Sequence, residues 1–425
     1  MLMTPAPMLQ SLRSLPSRAR ARLEQLVHLS PLANPAAYTE LLREHMGGFP
    51  VDPDHRPHLL EALAWLERAQ DTTPDDGFAR SYSIRWDPYF RDWGWQPSYP
   101  ETTGYIIPTL YEAAHHLGRP NLAVRATRAA YWEIQVQLPS GAVQAGVIGE
   151  GRSPAIFNTG QVMFGWLRAF EITGDRRFAD SARRAGRYLE SCLAEDGSWR
   201  GQSGFALPQA TLYNARTSWA LAEAAARLGE PEWSMRARQN LHMVAGRQAE
   251  NGWFPDCCLS DPTQPLLHTL AYTVRGLLEG GRVLGDERLF RAAERAAAAL
   301  VETVRPNGWM PGRYAPDWSG TVAWSCLTGQ AQMVTNWIRL FLIRGDSKWL
   351  EPVPRVLRFL KGTQNRAHPN PGIRGGLKGS WPVNGAYGKF QLLNWATKYF
   401  VDALIRDEQV TTGDAAARSM EYSLA

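Results

Sequence analysis

Apolar and polar positions along the chain define two kinds of helical segment that alternate. One kind is apolar around most of its circumference, as a helix buried on several sides must be. Six segments read this way: "TTGYIIPTLYEAAHHLGR" (102–119), "NTGQVMFGWLRAFEITGD" (158–175), "YNARTSWALAEAAARLGE" (213–230), "HTLAYTVRGLLEGGRVLGD" (268–286), "LTGQAQMVTNWIRLFLIRGD" (327–346) and "LLNWATKYFVDALIRDE" (392–408). Five of them finish in a glycine, which stops a helix in the left-handed conformation at low cost. The sixth carries Asp407 at that point.

Between them lie segments with one wet face. These are 58–70, 121–138, 176–193, 231–248, 287–304 and 348–364, in which Arg and Glu alternate with Ala and Leu at helical spacing. That spacing marks burial on one side. Each is followed by a loop with a turn signal: "DDGF" at 75, "PSGAV" at 139, "EDGSW" at 195, "ENGWF" at 250, "PNGWM" at 306 and the longer "PGIRGGLKGSW" at 371. A unit repeated at intervals of roughly 50 to 65 residues predicts a closed or stacked array rather than a mixed sheet fold.

Six outer and six inner helices close naturally into a ring, with the inner ones the more apolar. This pattern resembles the (α/α)6 toroid of the six-hairpin glycosidase-like superfamily, which holds glycoside hydrolases and polysaccharide lyases. The expected fold class is therefore all-α: an (α/α)6 toroid over 57–408, preceded by a helical N-terminal extension (1–56) and followed by a loose tail (409–425). The competing arrangement is an α-solenoid that never closes.

Composition adds three constraints. Among 425 residues there are 17 Trp, 14 Tyr and 14 Phe. Their flat faces suit the C–H patches of sugar rings. The formal net charge is +5, with no long basic run, so charge alone does not argue for nucleic acid. The four cysteines, two of them adjacent, do not form a disulfide framework, and a reducing compartment is expected. The first 26 residues lack an apolar stretch of signal-peptide length, and no transmembrane run occurs. The resulting expectation is a cytoplasmic location, with no membrane span and an open oligomeric state.

Chemistry is expected where the inner helices begin, because helix N-termini converge on one mouth of such a ring and favour anions. His268 and Tyr272 stand one helical turn apart on one face, with Arg275 two turns in. Toroid-type lyases use Asn, His, Tyr and Arg together, so the resemblance implies that Asn214, His268, Tyr272 and Arg275 could carry β-elimination from a uronic acid. Glycoside hydrolysis needs two carboxyl groups instead, and Glu101 and Asp256 are the candidates. The expected catalytic set is thus Glu101, Asn214, Asp256, His268, Tyr272 and Arg275. The expected substrate contacts are Tyr105, Gln161, Tyr213, Arg216, Trp253, Trp309, Trp324, Gln330, Arg374, Lys378, Trp381, Tyr387, Asn394 and Trp395. The last of these come from a Gly-rich stretch in which cations stand beside aromatics, a mixture suited to an acidic sugar.

The function expected is cleavage of a poly- or oligosaccharide containing acidic sugars, by hydrolysis or β-elimination, with no cofactor and no metal. Three other toroid chemistries fit less well. An epimerase would place histidines on several inner helices, a zinc-dependent cyclase would need a better-spaced set than Cys257, Cys258, Cys326 and His268, and a class II terpenoid cyclase would need an Asp-rich motif that is missing. A non-catalytic glycan-binding or polysaccharide-assembly protein remains a further alternative.

Overall fold

The computed structural model describes residues 28–200 and 211–413. Helix α1 (Pro35–His45) precedes the ring. The outer helices are α2 (Arg56–Asp71), α4 (Pro120–Val136), α6 (Arg176–Cys192), α8 (Pro231–Gly246), α10 (Glu287–Glu302) and α12 (Val353–Thr363). The inner helices are α3 (Pro100–Leu117), α5 (Ile156–Thr173), α7 (Ala215–Leu228), α9 (Leu267–Leu284), α11 (Leu327–Arg344) and α13 (Asn394–Thr411). Gly118, Gly174, Gly229, Gly285 and Gly345 close five inner helices with φ of 63° to 76°, the conformation the sequence calls for.

Each inner helix packs on the next, and α13 packs back on α3. The chain is therefore a closed (α/α)6 toroid, not an open spiral. Inner helices approach closely where side chains are small: a Cβ on Gly104 of α3 would lie 2.4 Å from the Val162 Cα of α5. At the seam, Thr109 Oγ1 of α3 donates to Asp402 Oδ1 of α13 (2.7 Å), and Asn394 Nδ2 donates to Thr102 Oγ1 (2.8 Å).

The outer ring is held by a glutamine that recurs after an outer helix. Gln137 Nε2 donates to the Gly141 carbonyl of its own loop (2.8 Å) and to the Ser181 carbonyl of the next outer helix (3.0 Å). Gln248 repeats this with Gly252 (2.9 Å) and Ala292 (2.8 Å). Gln364 repeats it with Gly375 (2.8 Å) and His58 of α2 (3.1 Å), joining the last outer helix to the first. Glycine is required at the turn itself. Gly375 has φ of 88°, and a Cβ there would sit 2.2 Å from the Glu61 carbonyl oxygen.

Short strands interrupt the all-α pattern at the mouth. β1 (Ser81–Asp87) and β2 (Asp92–Trp95) form a hairpin after α2, with Tyr82 opposite Trp95. β7 (Gln391–Leu393), just before α13, adds antiparallel to β1 in the order β2-β1-β7. Two further pairs join β3 (Val143–Gln144) to β4 (Pro154–Ala155) and β5 (Ser325–Cys326) to β6 (Ser380–Trp381). Strands β4, β5 and β7 each lead directly into an inner helix, so the pairings aim the first turns of α5, α11 and α13.

Of the expected N-terminal extension, α1 is described and residues 1–27 lie outside the described residues. α1 is tied to the ring by a buried triad in which Lys378 Nζ meets Glu40 (2.8 Å) and Glu44 (2.9 Å). At the other end, α13 runs three residues past 408, and 414–425 lie outside the described residues. No described helix is long and apolar enough to cross a membrane.

Candidate active site

The first turns of the inner helices converge on a cavity of ≈ 380 Å³, within the range of small-ligand sites. Helix α3 supplies Glu101 and Tyr105, α5 supplies Phe157 and Asn158, and α9 supplies His268, Thr269 and Tyr272. Tyr213 precedes α7, while Tyr387 and Trp395 come from the last repeat. The hairpin adds Asp87, Tyr89 and Phe90, and the segment between β3 and β4 adds Val147 and Glu150.

Aromatic rings make the wall. His268 lies against Tyr272 (centroids 4.4 Å) and Tyr387 (5.6 Å), and Phe157 touches both Tyr213 and Tyr272 (5.0 Å each). In such surroundings a charged form is poorly solvated, and titrating groups move accordingly. Burial pushes the Glu101 carboxyl up to about 7, although the Tyr99 hydroxyl donates to it and Arg80 lies near. Burial moves His268 the other way, down to about 4, with the Arg216 charge adding to the effect. His268 Nδ1 is 2.8 Å from Gln332 Oε1 of α11. An amide oxygen only accepts, so Nδ1 carries the hydrogen and Nε2 keeps its lone pair.

Among the described residues, Arg80 is the cation that lines the cavity. It donates to Ser81 Oγ (3.2 Å) and Gln391 Oε1 (3.1 Å), and its guanidinium lies 5.0 Å from the Trp395 ring. Gln391 in turn donates to Asp87. Beneath the floor, Arg216 Nε donates to Gln161 Oε1 (2.7 Å). Deeper still, Lys398 pairs with Asp402 (2.6 Å), and burial brings its ammonium down to about 8 despite that partner.

The structure brings together Glu101, Tyr105, Tyr213, His268, Tyr272, Tyr387 and Trp395 from the expected set. Gln161 and Arg216 lie directly below. The others stand outside the cavity. Asn214 accepts from Thr217 within its own turn (3.3 Å), and Asn394 is spent on Ala79 and Thr102. Asp256 faces Arg247 at 3.5 Å, and Arg275 faces Glu279 at 3.4 Å. Gln330 bridges Ser325 and the Gly308 carbonyl. Trp253 is buried in its loop, Trp309 lies under Arg305 (4.0 Å), and Trp324 packs over Gly312. Arg374 pairs with Glu61 (3.7 Å), Lys378 with Glu40 and Glu44, and Trp381 packs on Phe49 and Phe359. Arg374 and Lys378, expected to meet an acidic sugar, are thus engaged with carboxylates, whereas Arg80 lines the cavity.

Arg80, Asp87, Tyr89, Phe90, Tyr99 and Gln391 were not expected. Tyr99 could have been found, since it lies two residues before Glu101. The cysteines named for zinc are buried thiols: burial pushes Cys257 and Cys326 each up to about 12, which disfavours the thiolate a metal needs. Among the described residues no group of three or more His, Cys, Asp or Glu is placed to hold a metal.

No family model matches the sequence, and no curated protein matches it significantly. Solved structures do. An unsaturated glucuronyl hydrolase specific for heparin superposes with a TM-score of 0.66 at 16% identity, covering 84% of this chain and 97% of that one. An unsaturated glucuronyl hydrolase responsible for glycosaminoglycan degradation, from a Bacillus species, gives 0.65 at 14% identity, with 84% and 97% covered. Cellobiose 2-epimerase from Bacillus thermoamylovorans gives 0.64 at 10% identity, with 87% and 98% covered. The chain shares the (α/α)6 toroid fold of these structures.

Proposed function

We propose that this protein is a carbohydrate-active enzyme that cleaves the terminal sugar from a short acidic oligosaccharide by general acid–base catalysis. One observation carries the reading: a carboxyl raised to about 7 and an imidazole lowered to about 4 line the same aromatic cavity. Between those values Glu101 holds a proton to give and His268 has a lone pair to receive one. Environments that push two groups apart in this way mark the acid and the base of a site.

In hydrolysis, the Glu101 proton passes to the glycosidic oxygen as its bond to the anomeric carbon breaks. His268 Nε2 takes a proton from the water that attacks that carbon. Aromatic faces of Tyr272, Tyr387 and Trp395 receive the C–H surface of the ring. Arg80, whose hydrogen bonds go to neutral oxygens, meets the sugar carboxylate. The cavity volume suits one or two sugar units rather than the middle of a polymer. Fold neighbours named for a glucuronyl hydrolase and a sugar epimerase support carbohydrate as the substrate class.

β-Elimination is a second reading, favoured by the neutral imidazole with its free Nε2. Here His268 takes the C5 proton of a uronate, the electron pair forms the C4–C5 double bond, and Glu101 protonates the departing oxygen. Incubation with short acidic oligosaccharides, read by mass spectrometry, separates the two. Hydrolysis adds one water to the summed products. Elimination adds none and leaves an ultraviolet-absorbing unsaturated uronate. A panel left intact, with no saturable binding, overturns the proposal.

A further inference from the structure

Arg216 is 1% exposed and lies inside the inner ring of helices. Three other buried cations face a carboxylate: Lys398 meets Asp402 at 2.6 Å, Arg275 meets Glu279 at 3.4 Å and Lys378 meets Glu40 at 2.8 Å. Arg216 has a neutral partner instead, the Gln161 amide oxygen, and its Nη2 has no hydrogen-bond partner among the described residues. A buried guanidinium cannot shed its proton, so the fold holds a permanent, poorly compensated charge there.

What surrounds that charge is aromatic. The guanidinium carbon lies 5.2 Å from the Tyr272 ring and 5.9 Å from Tyr399, with Phe164 and Trp219 at 5.1 and 5.0 Å. Tyr272 is the only one of these four that lines the cavity. Tyr105 and Tyr399 bring their hydroxyls toward that of Tyr272, yet the Tyr272 hydroxyl completes no hydrogen bond of normal geometry. Its other neighbour is the His268 ring, at 4.4 Å.

We infer that Arg216 is a positioning residue: a fixed cation behind the Tyr272 ring, one ring away from the imidazole, that keeps a second positive charge off His268. The use made of the neutral imidazole rests on the function proposed above, whereas the electrostatic role does not. The same charge in a low-dielectric interior opposes protonation of the imidazole. The groups that face His268 are Gln332 from α11, Tyr387 from the loop before β7, Tyr272 on its own helix, Arg216 from α7 and, across the cavity, Glu101 from α3. Arg216 is the permanent cation of that group.

The test is an NMR titration of the His268 imidazole in the full chain, which needs no substrate. In Arg216→Met the titration midpoint rises by about one pH unit or more, toward the ordinary histidine range. In Arg216→Lys, which keeps the charge, it stays near that of the unsubstituted protein. A folded Arg216→Met protein that titrates like the parent overturns the inference. Should Arg216→Met not fold, Gln161→Glu places a carboxylate where the amide oxygen stands 2.7 Å from Arg216 Nε. That variant raises the midpoint by compensating the charge, and an unchanged midpoint again overturns the inference. With a substrate in hand, the acidic limb of the turnover profile moves up in pH with that midpoint in Arg216→Met. A scaffold arginine would alter folding and leave the imidazole of the folded protein untouched. Failure to find a sugar substrate leaves the titration result standing.

Discussion

The two ends of α9 are built from the same helix and do opposite things with charge. Its first turns carry His268 and Tyr272 into an aromatic cavity where ion pairs are scarce. Its later turns carry Arg275, Glu279 and Arg282 into a dense buried network. There Glu279 meets Arg339 at 2.7 Å and Arg282 at 2.8 Å, and Arg282 also reaches Glu223. The consequence is clearest in two fully buried glutamates. Burial pushes the Glu279 carboxyl up, but Arg339, Arg275 and Arg282 together overcome that and hold it well below its ordinary value. Burial pushes Glu101 up as well, and a tyrosine hydroxyl with one more distant arginine does not bring it back. Burial alone therefore does not decide whether a carboxyl is scaffold or chemistry. The number of cations supplied to it does.

Replacing Glu279 by Ala is the harshest way to probe that contrast. It strips three arginines of a shared buried partner and should cost about 3 to 5 kcal/mol in urea unfolding. A loss below about 1 kcal/mol would mean the network is solvated, and the contrast with the mouth would dissolve. Next in size, Glu101→Gln should lower turnover about 100-fold, the scale of a general acid, without lowering the melting temperature. Loss of fold with loss of activity would place Glu101 on the scaffold side.

Glu101 and His268 give pH signatures of opposite sign. The unfolded chain releases the Glu101 proton near 4.5, while the folded chain keeps it to about 7, so this residue subtracts stability progressively as pH rises through that window. Glu101→Gln should remove the slope. The unfolded chain protonates His268 below 6.5, while the folded chain resists to about 4, so acid destabilises through this residue, and His268→Gln should flatten that limb. Turnover should peak between about 4 and 7. A flat activity profile over that range would remove this acid–base pair from the mechanism.

Glu133 of α4 offers a smaller check away from the mouth. It is buried, neither carboxyl oxygen has a partner among the described residues, and burial holds it well above its ordinary value, with Asp75 adding to the effect. Glu133→Gln should therefore stabilise the protein above neutral pH and leave turnover unchanged. Smallest of all, Arg374→Ala and Trp309→Ala lie outside the cavity and should leave turnover within about twofold. A larger drop would show that ligand extends beyond the mouth.

The ring was legible because it repeats. Six apolar helices, their glycine stops and the Asn-Gly and Asp-Gly turns each recur, so one instance supports another. His268 and Tyr272 were legible for a local reason, since helical spacing alone puts them on one face. The hairpin 81–95 occurs once, and nothing elsewhere in the chain announces it. With it went Arg80, Asp87, Tyr89 and Phe90. Lys378 misled for a different reason. Its partners Glu40 and Glu44 lie more than 330 residues earlier, and charge on a sequence does not show what will neutralise it. Arg275 was placed near the correct face but one turn too deep, where Glu279 claims it.

The bond from Gln364 to the His58 carbonyl is where head and tail of the chain are buttoned together. Glu101 belongs to the first inner helix and Trp395 to the last, so the two sides of the mouth are synthesised almost 300 residues apart. A growing chain on the ribosome holds Glu101 long before it owns the opposite wall. Competence must arrive abruptly, once the last repeat of the ring is made, rather than accumulate repeat by repeat as it could in an open array.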